Sequence, residues 1–206
     1  TLCVALDTLP FIETFDSYTE GVSTSTAAPT AYPAHTLPTC WNFVNMSSTS
    51  STYPQAFITS NSGYALNGSK ALFFKSAMHK SIFAVMPKIQ ADLSELQLTF
   101  HYRNESLTAT NGTLSVGLMS SAIDTNTFVE LASFPVINTL TPAIVQFWSA
   151  DSLFTNNEEY HIAFRYTGST NNNMYLSIDS LVVDYLPTCP DPTNVVAVVE
   201  DAQSAT

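Results

Sequence analysis

The sequence predicts an all-β domain, and within that class a jelly-roll antiparallel β-sandwich. Three observations predict it. Apolar and polar residues alternate in several short segments, and clusters of Ser, Thr, Asn and Gly that favour turns lie between those segments. Helix signals, in addition, are nearly absent from the chain. With 206 residues, of which 45% are hydrophobic and 11% charged, the chain is long enough to bury a core of its own.

The clearest predicted strand is "LQLTFHYRN" at 96–104. Its apolar residues occupy every second position, as in a strand with one face in the core and one in solvent. "GTLSVGL" at 112–118 and "YHIAFRY" at 160–166 alternate in the same way. Four further segments are candidate strands: "ALFFKS", "SIFAVMPKI", "FVELASF" and "PAIVQFW". Many short strands separated by turn signals are typical of a sandwich or jelly roll.

Two stretches differ from this strand-rich middle. Residues 23–38 are rich in Pro, Ala and Thr and predict a long irregular loop, after which the chain returns to the core at Cys40. Three prolines within six residues follow the last apolar run and predict a linker, and "TNVVAVVE" then predicts a fresh strand. We therefore expect the main domain at residues 1–186, and a linker with the first strand of a following module at residues 187–206.

The chain is acidic, with a formal net charge of −11 and a pI of about 4.4. A phosphate backbone would be repelled, which argues against nucleic-acid binding. No apolar run reaches the roughly 18 residues that a membrane-spanning helix needs. The polar residues are mostly Ser, Thr and Asn, a composition common in secreted β-rich proteins. No signal peptide is recognisable at Thr1, which predicts a mature or excised segment.

No catalytic constellation is recognisable in the sequence. It contains no GxSxG nucleophile elbow, no HExxH zinc motif and no Gly-rich loop that could cradle a phosphate. Glu158 and Glu159 are adjacent, so on a strand they would face opposite sides and could not act as a glycosidase pair. The four histidines fall in different segments, which favours solvent-facing or hydrogen-bonded roles. We therefore expect that the chain is not an enzyme.

Asp179 interrupts the apolar run "MYLSIDSLVVDYL" at 174–186. Burying an unpaired carboxylate is costly, so this side chain needs a partner. The apolar positions before Asp179 lie on one face and those after it on the other. A strand that keeps its core contacts therefore needs a bulge at Asp179–Ser180, which would turn the carboxylate toward a polar site. Three partners stay open: Ca²⁺, an ion pair with Arg165 or Arg103, or backbone N–H groups of the bulge itself.

Aromatic side chains are candidates for a carbohydrate platform, because sugars stack on exposed rings. The apolar neighbours of Trp41 and Trp148 favour core positions for both. Tyr32 and Tyr53 lie in Ser-, Thr- and Pro-rich segments, so they are the better candidates for ligand binding. The full set of candidates is Tyr18, Tyr32, Tyr53, Tyr64 and Trp148.

An ordered set of motifs resembles a known family. "LPFIETFDSYTEG", "CWNF", "NGSKALFF", "LQLTFHYRN", "EEYHIAFRYTG" and "LSIDSLVVDYL" follow one another through roughly residues 3–186. In this order they resemble the cleaved-adhesin or choice-of-anchor J domains of bacterial surface proteins, including the haemagglutinin modules of gingipains. A more distant similarity is to MAM domains and galactose-binding-like folds. The tail "PTCPDPTNV" looks like the start of a fibronectin type III module.

The resemblance implies a non-catalytic, extracellular binding or adhesion module of a multidomain bacterial surface or secreted protein. Its partners would be a host glycan or a host surface or matrix protein, together with neighbouring modules of the same chain. The resemblance also implies a structural Ca²⁺, because the first and last strands of such folds bring acidic residues together. Carried over to this sequence, the ligands are Glu13, Asp16, Asn67 and Asp179. Some relatives carry a second acidic residue where this chain has Ser180.

Two alternatives to the adhesin interpretation stay open. The domain could be a passive spacer, or a carbohydrate-binding module attached to a secreted hydrolase. The three cysteines likewise allow three different single bridges. MAM-like relatives tie their N-terminal segment to a cysteine before a Trp, so the resemblance implies Cys3–Cys40, with both residues expected before strands of the same sheet. Cys189 would then be free or paired within the next module.

Overall fold

The computed structural model describes residues 8–18, 38–45, 54–61, 63–104, 112–147, 160–169 and 174–187. Within these residues the chain forms β-strands and two short 3₁₀ turns, Leu93–Glu95 and Thr125–Thr127. No helix in the described part is long and apolar enough to span a membrane. The strands are β1 Phe11–Glu13, β2 Asn42–Val44, β3 Gln55–Thr59, β4 Ala71–Ser76, β5 Ser81–Val85, β6 Leu96–Asn104, β7 Thr113–Met119, β8 Val129–Pro135, β9 Thr141–Gln146, β10 His161–Thr167 and β11 Met174–Tyr185.

The strands form two antiparallel sheets that pack face to face. Sheet I has the order β3-β4-β11-β6-β9, with β1 also paired to β11, and sheet II has the order β2-β5-β10-β7-β8. Successive strands from β4 to β11 alternate between the sheets, except that β7 and β8 are neighbours in sheet II. The strands β4, β11, β6 and β9 therefore face β5, β10, β7 and β8. This is the strand order of an eight-stranded jelly roll with β1, β2 and β3 added. The predicted all-β jelly-roll sandwich is confirmed.

The core lies between the sheets and is built by the alternating residues. β6 alternates buried and partly exposed positions along its full length, and its apolar side chains belong to the main hydrophobic cluster. Trp41 is 7% exposed and stacks on Phe43 and Phe164, with ring centroids 6.4 Å apart in each pair. The edge of Phe15 meets the same indole at 5.8 Å. The expected core position of Trp41 is confirmed, whereas Trp148 lies outside the described residues.

The outer face of sheet I is also covered at β3 and β4. Every residue of β4 is buried, and Phe57 and Phe73 form a second small cluster on this outer face. The ring of Tyr64 lies 4.9 Å from that of Phe73, and Nη2 of Arg103 donates to the carbonyl of Gly63 at 2.8 Å. The chain segment before β4 thus packs over the sheet. An alternating pattern cannot predict this, because "ALFFKS" is apolar on both faces.

Strand β11 changes partner halfway along its length. Its first half pairs with β4 as far as Ile178, and its second half pairs with β1 from Leu181 to Val183. β6 lies along the other side of both halves, with a register shift between Asp179 and Val182. Ser180 has a φ of 54°, in the left-handed region that a bulge can require. The predicted bulge is confirmed, and residues on both sides of it reach the same core: Leu176, Ile178, Leu181 and Val183.

Cys40 forms a disulfide bond in the structure. The expectation that Cys3 and Cys40 precede strands of the same sheet is wrong. Cys40 precedes β2 of sheet II, whereas β1, the strand after Cys3, belongs to sheet I. Cys3 and Cys189 both lie outside the described residues, so the Cys3–Cys40 pairing stays a prediction. The same holds for the module expected at 187–206, of which only the first residue is described.

Candidate functional site

Asp179 lies where β11 leaves β4 and meets β1, a place we call the three-strand junction. Its side chain is 1% exposed. Oδ2 accepts a hydrogen bond of 2.9 Å from the backbone N–H of Asn67, and Oδ1 accepts one of 2.6 Å from that of Ser180. Nδ2 of Asn67 donates to Oγ of Ser180 at 3.2 Å. Backbone N–H groups are therefore partners of Asp179, and one of them comes from the bulge as the sequence allowed.

Asp16 binds the same segment from the other side. Its Oδ1 accepts from the backbone N–H of Ser69 at 2.7 Å and from that of Lys70 at 2.9 Å. Nζ of Lys70 donates in return to the carbonyls of Asp16, at 3.0 Å, and of Tyr18. A Cβ on Gly68 would lie 2.2 Å from Oδ2 of Asp16, so only glycine permits this approach. Residues 67–70 are thus held between two carboxylates.

Glu13 ends β1 and completes the acidic group. Its Oε1 accepts from the backbone N–H of Phe15 at 2.6 Å, and its Oε2 accepts from the hydroxyl of Tyr18 at 2.9 Å. Phe15 has a φ of 60° and is fully buried, so the turn after β1 is fixed by core packing as well as by hydrogen bonds. Tyr18 therefore helps to fix this turn, and its role in a sugar-binding platform stays a prediction.

The ionised carboxylates of the junction are electrostatically costly. Burial raises the pKa of Glu13 above its ordinary value, and the negative charges of Asp179 and Asp16 add to that rise. Burial likewise raises the pKa of Asp179, with Asp16 adding to the effect, although the N–H groups of Asn67 and Ser180 and the charge of His101 oppose it. Burial and neighbouring negative charge therefore raise the free energy of ionising Glu13 and Asp179.

The predicted Ca²⁺ ligands lie around this junction. Segment 67–70 connects Asp16 with Asp179, and Glu13 interacts electrostatically with both. All four predicted residues offer oxygen atoms, the donors that Ca²⁺ prefers. Within the residues described, however, no three His, Cys, Asp or Glu side chains converge closely enough to hold a metal ion. The donor chemistry thus fits Ca²⁺, and its binding stays a prediction.

A second polar group lies on the outer face of sheet II, around Arg165 of β10. Nη2 of Arg165 donates to Oγ of Ser115 at 3.2 Å and forms an ion pair with the carboxylate of Glu130. The guanidinium carbon lies 4.8 Å from the ring centroid of Phe128, a cation–π contact. An ion pair between Arg165 and Asp179 is therefore wrong, since the two residues belong to different sheets.

Local sequence explains how Phe128 reaches this face. Asp124 caps the 3₁₀ turn Thr125–Thr127 by accepting from the backbone N–H of Asn126 at 3.0 Å, and the turn delivers Phe128 over β7. A Cβ at Gly117 would lie 2.1 Å from the carbonyl of Val129 and 2.8 Å from the Phe128 ring, so glycine permits the close approach.

Hydroxyl groups continue this face beyond Arg165. Oγ of Ser81 and Oγ1 of Thr167 lie 2.7 Å apart on neighbouring strands. Strand register places further Ser and Thr residues on the same side. Ser115 is fully buried and accepts from Arg165, whereas the other members are partly or fully exposed. We call the exposed set the hydroxyl strip: Ser81, Thr113, Ser133 and Thr167. The role of this strip was not predictable from the sequence, although Arg165 and Thr167 alternate with core residues in "HIAFRYT".

The predicted aromatic ligand contacts are not brought together by the described residues. Tyr32 and Tyr53, the two preferred candidates, both lie outside the described part, so their role stays a prediction. Tyr64 packs against Phe73 over sheet I, where it serves the fold. Tyr175 packs on the same phenylalanine, with ring centroids 5.6 Å apart. The role of Tyr64 in a sugar platform stays a prediction.

No protein-family model matches the chain, and no curated protein matches it. Solved structures do. The K2 cleaved adhesin domain of Lys-gingipain has a TM-score of 0.56 and 13% identity, over 85% of this chain and 97% of that one. The K3 cleaved adhesin domain of Lys-gingipain from Porphyromonas gingivalis W83 has a TM-score of 0.55 and 16% identity, over 84% and 96%. The CBM22-1 xylan-binding domain of Paenibacillus barcinonensis Xyn10C has a TM-score of 0.50 and 9% identity, over 87% and 95%.

At these identities the similarity establishes the fold. It agrees with the fold that the resemblance to cleaved-adhesin domains implied. Nothing in these similarities supports a following fibronectin type III module, which stays a prediction.

Proposed function

We propose that this domain is a non-catalytic binding module of an extracellular protein, and that it recognises a glycan on a host surface. The observation that carries the proposal is the jelly-roll sandwich, which the chain has in common with cleaved adhesin domains and with a xylan-binding domain. Such a scaffold presents rigid sheet faces, and rigid elements position ligand contacts more accurately than loops do.

The hydrogen bonds of the carboxylates at the three-strand junction support a non-catalytic role. Glycoside hydrolysis needs two carboxyl groups that flank the scissile bond of a bound substrate. Glu13, Asp16 and Asp179 instead accept hydrogen bonds from the backbone at a junction of strands, and Asp179 is almost fully buried. Their chemistry is that of groups that hold the fold together.

The binding of the isolated domain to an array of neutral glycans, mucin-type glycans and matrix proteins tests this proposal. We expect a signal on a defined glycan, in the presence of Ca²⁺ and from protein shown by circular dichroism to be folded. A signal on matrix proteins alone would contradict the glycan proposal. The absence of any signal from folded protein would favour the passive spacer.

We also propose that Ca²⁺ binds at the three-strand junction, held by Glu13, Asp16, Asn67 and Asp179. When bound, the ion would supply positive charge beside Glu13 and Asp179, whose pKa values are raised by burial and by neighbouring negative charge. It would stabilise the folded state, which alone brings these residues together. This role is structural and does not depend on which glycan is bound.

Ca²⁺ is therefore expected to raise the melting temperature of the domain by about 5–10 °C at a concentration near 100 times its Kd, since that excess contributes about 2.7 kcal/mol. The measurement is differential scanning calorimetry in Ca²⁺ and in EDTA, with Mg²⁺ as the control ion. Asp179→Asn should abolish the difference, whereas Asp92→Asn, at an exposed 3₁₀ cap, should preserve it. Identical melting of the wild type in Ca²⁺ and EDTA would disprove the site.

A further inference from the structure

We propose that the outer face of sheet II, centred on Arg165, is the ligand-binding site and that it takes an uncharged glycan. This inference rests on the proposed function and adds to it the place of binding and the class of sugar. The three-strand junction does not contribute to this face. It is formed instead by strand register, which brings residues of β5, β10, β7 and β8 side by side.

The ion pair of Arg165 and Glu130 lies at the centre of this face, and it is both held in place and accessible to solvent. Strand pairing sets Phe83, Arg165 and Ser115 in one row, and the guanidinium is held by Ser115, by Glu130 and by the ring of Phe128. Even so, 31% of the Arg165 side chain and 40% of the Glu130 side chain are exposed. A ligand would thus meet a donor and an acceptor whose positions are already set, which lowers the entropy cost of binding.

The chemistry of the pair favours an uncharged, polyhydroxylated ligand. The guanidinium can only donate and the carboxylate can only accept, so together they match neighbouring hydroxyls of one sugar ring. An anionic sugar would be opposed by the carboxylate of Glu130 and by a chain of net charge −11. The hydroxyl strip adds uncharged groups along the sheet, such as Ser81 and Thr167, and each hydroxyl can both donate and accept a hydrogen bond.

Apolar and polar groups lie side by side on this face. On one side of Arg165, the partly buried ring of Phe128 packs on a buried apolar cluster of Phe83, Val85, Met119 and Ala163. The rings of Phe83 and Phe128 meet edge to face, with centroids 5.4 Å apart. On the other side lies the hydroxyl strip. A sugar ring is amphipathic, with C–H groups on its face and hydroxyls at its edge, so it could contact the Phe128 ring and the hydroxyl strip together.

The test is affinity gel electrophoresis in neutral polysaccharides, such as xylan, galactan and mannan, and in acidic ones, such as polygalacturonate. The wild type should be retarded by at least one neutral polysaccharide and by no acidic one. Arg165→Met and Glu130→Gln should each weaken that binding by about tenfold or more, because each removes a charged hydrogen-bonding group. Arg103→Met is the matched control, since Arg103 lies on sheet I, and it should bind as the wild type does.

The results of this test distinguish an error in the proposed site from an error in the proposed function. If the wild type binds a neutral glycan and both sheet II variants bind equally well, the site is wrong and the proposed function stands. If the wild type binds only acidic polysaccharides, the class of ligand is wrong. If the folded wild type binds no polysaccharide at all, the proposed function fails with it. Glu130→Gln preserves the size of the side chain, so it tests the site even if Arg165→Met does not fold.

Discussion

Replacing Asp179 with alanine is expected to lower the free energy of unfolding by about 3 kcal/mol, because two backbone N–H donors lose an almost fully buried, charged acceptor. Those donors belong to Asn67 and Ser180, at 2.9 and 2.6 Å from the carboxylate. Their loss should also release the bulge that directs both halves of β11 into one core. Urea denaturation followed by circular dichroism measures the change, and hydrogen exchange should show faster exchange at the same two amides.

Asp184→Ala is the matched control for this variant. Asp184 lies on the same strand, is partly exposed and accepts a local hydrogen bond from the backbone N–H of Tyr185 at 2.8 Å. Its replacement should change stability by no more than about 0.5 kcal/mol. Asp179→Asn should fall between the two, since its carbonyl oxygen can accept one of the two bonds. Equal effects of Asp179→Ala and Asp184→Ala would contradict the assigned role of the junction.

Gly117→Ala is expected to lower the free energy of unfolding by about 2–3 kcal/mol. The new Cβ would lie 2.1 Å from the backbone carbonyl of Val129, which cannot move without breaking the pairing of β7 with β8. The Phe128 ring, at 2.8 Å, would have to shift as well and would leave its position beside Arg165. Thermal denaturation measures the loss, and glycan binding should weaken at temperatures where the variant is still folded.

Gly63→Ala controls for the substitution itself. An added Cβ there would meet Oδ1 of Asn61 at 3.3 Å, on an exposed side chain that can adjust. We expect a change within about 0.5 kcal/mol. A Gly117→Ala variant as stable as Gly63→Ala would show that Phe128 and Val129 do not pack over β7 as described.

The alternation of apolar and polar residues along single strands predicted much of the fold. The alternation in "LQLTFHYRN" predicted β6 because a strand with one buried face must place every second residue in the core. The slip at Asp179–Ser180 predicted the bulge for the same reason, since core contacts had to continue on both sides. Both predictions depend only on neighbouring residues along one strand.

Features that depend on distant parts of the chain were not predictable in this way. The carboxylate of Asp179 meets the N–H of Asn67, 112 positions earlier, and the sequence left that partner open. The site around Arg165 arises from the register of separate strands, so no spacing along the chain reveals it. The sheet to which β2 belongs was likewise set by its pairing with β5.

The pairing of β1 with β11 determines how the domain transmits force. Phe11 lies beside Val183, so the first and last described strands start and finish at the same end of one ladder. Tension applied directly to Phe11 and to the end of β11 would therefore peel β1 from β11 one residue pair at a time, beginning at Phe11. It would reach the junction at Asp179 only after Glu13 had separated from Leu181, and β6, paired with the other side of β11, would share the load from the start.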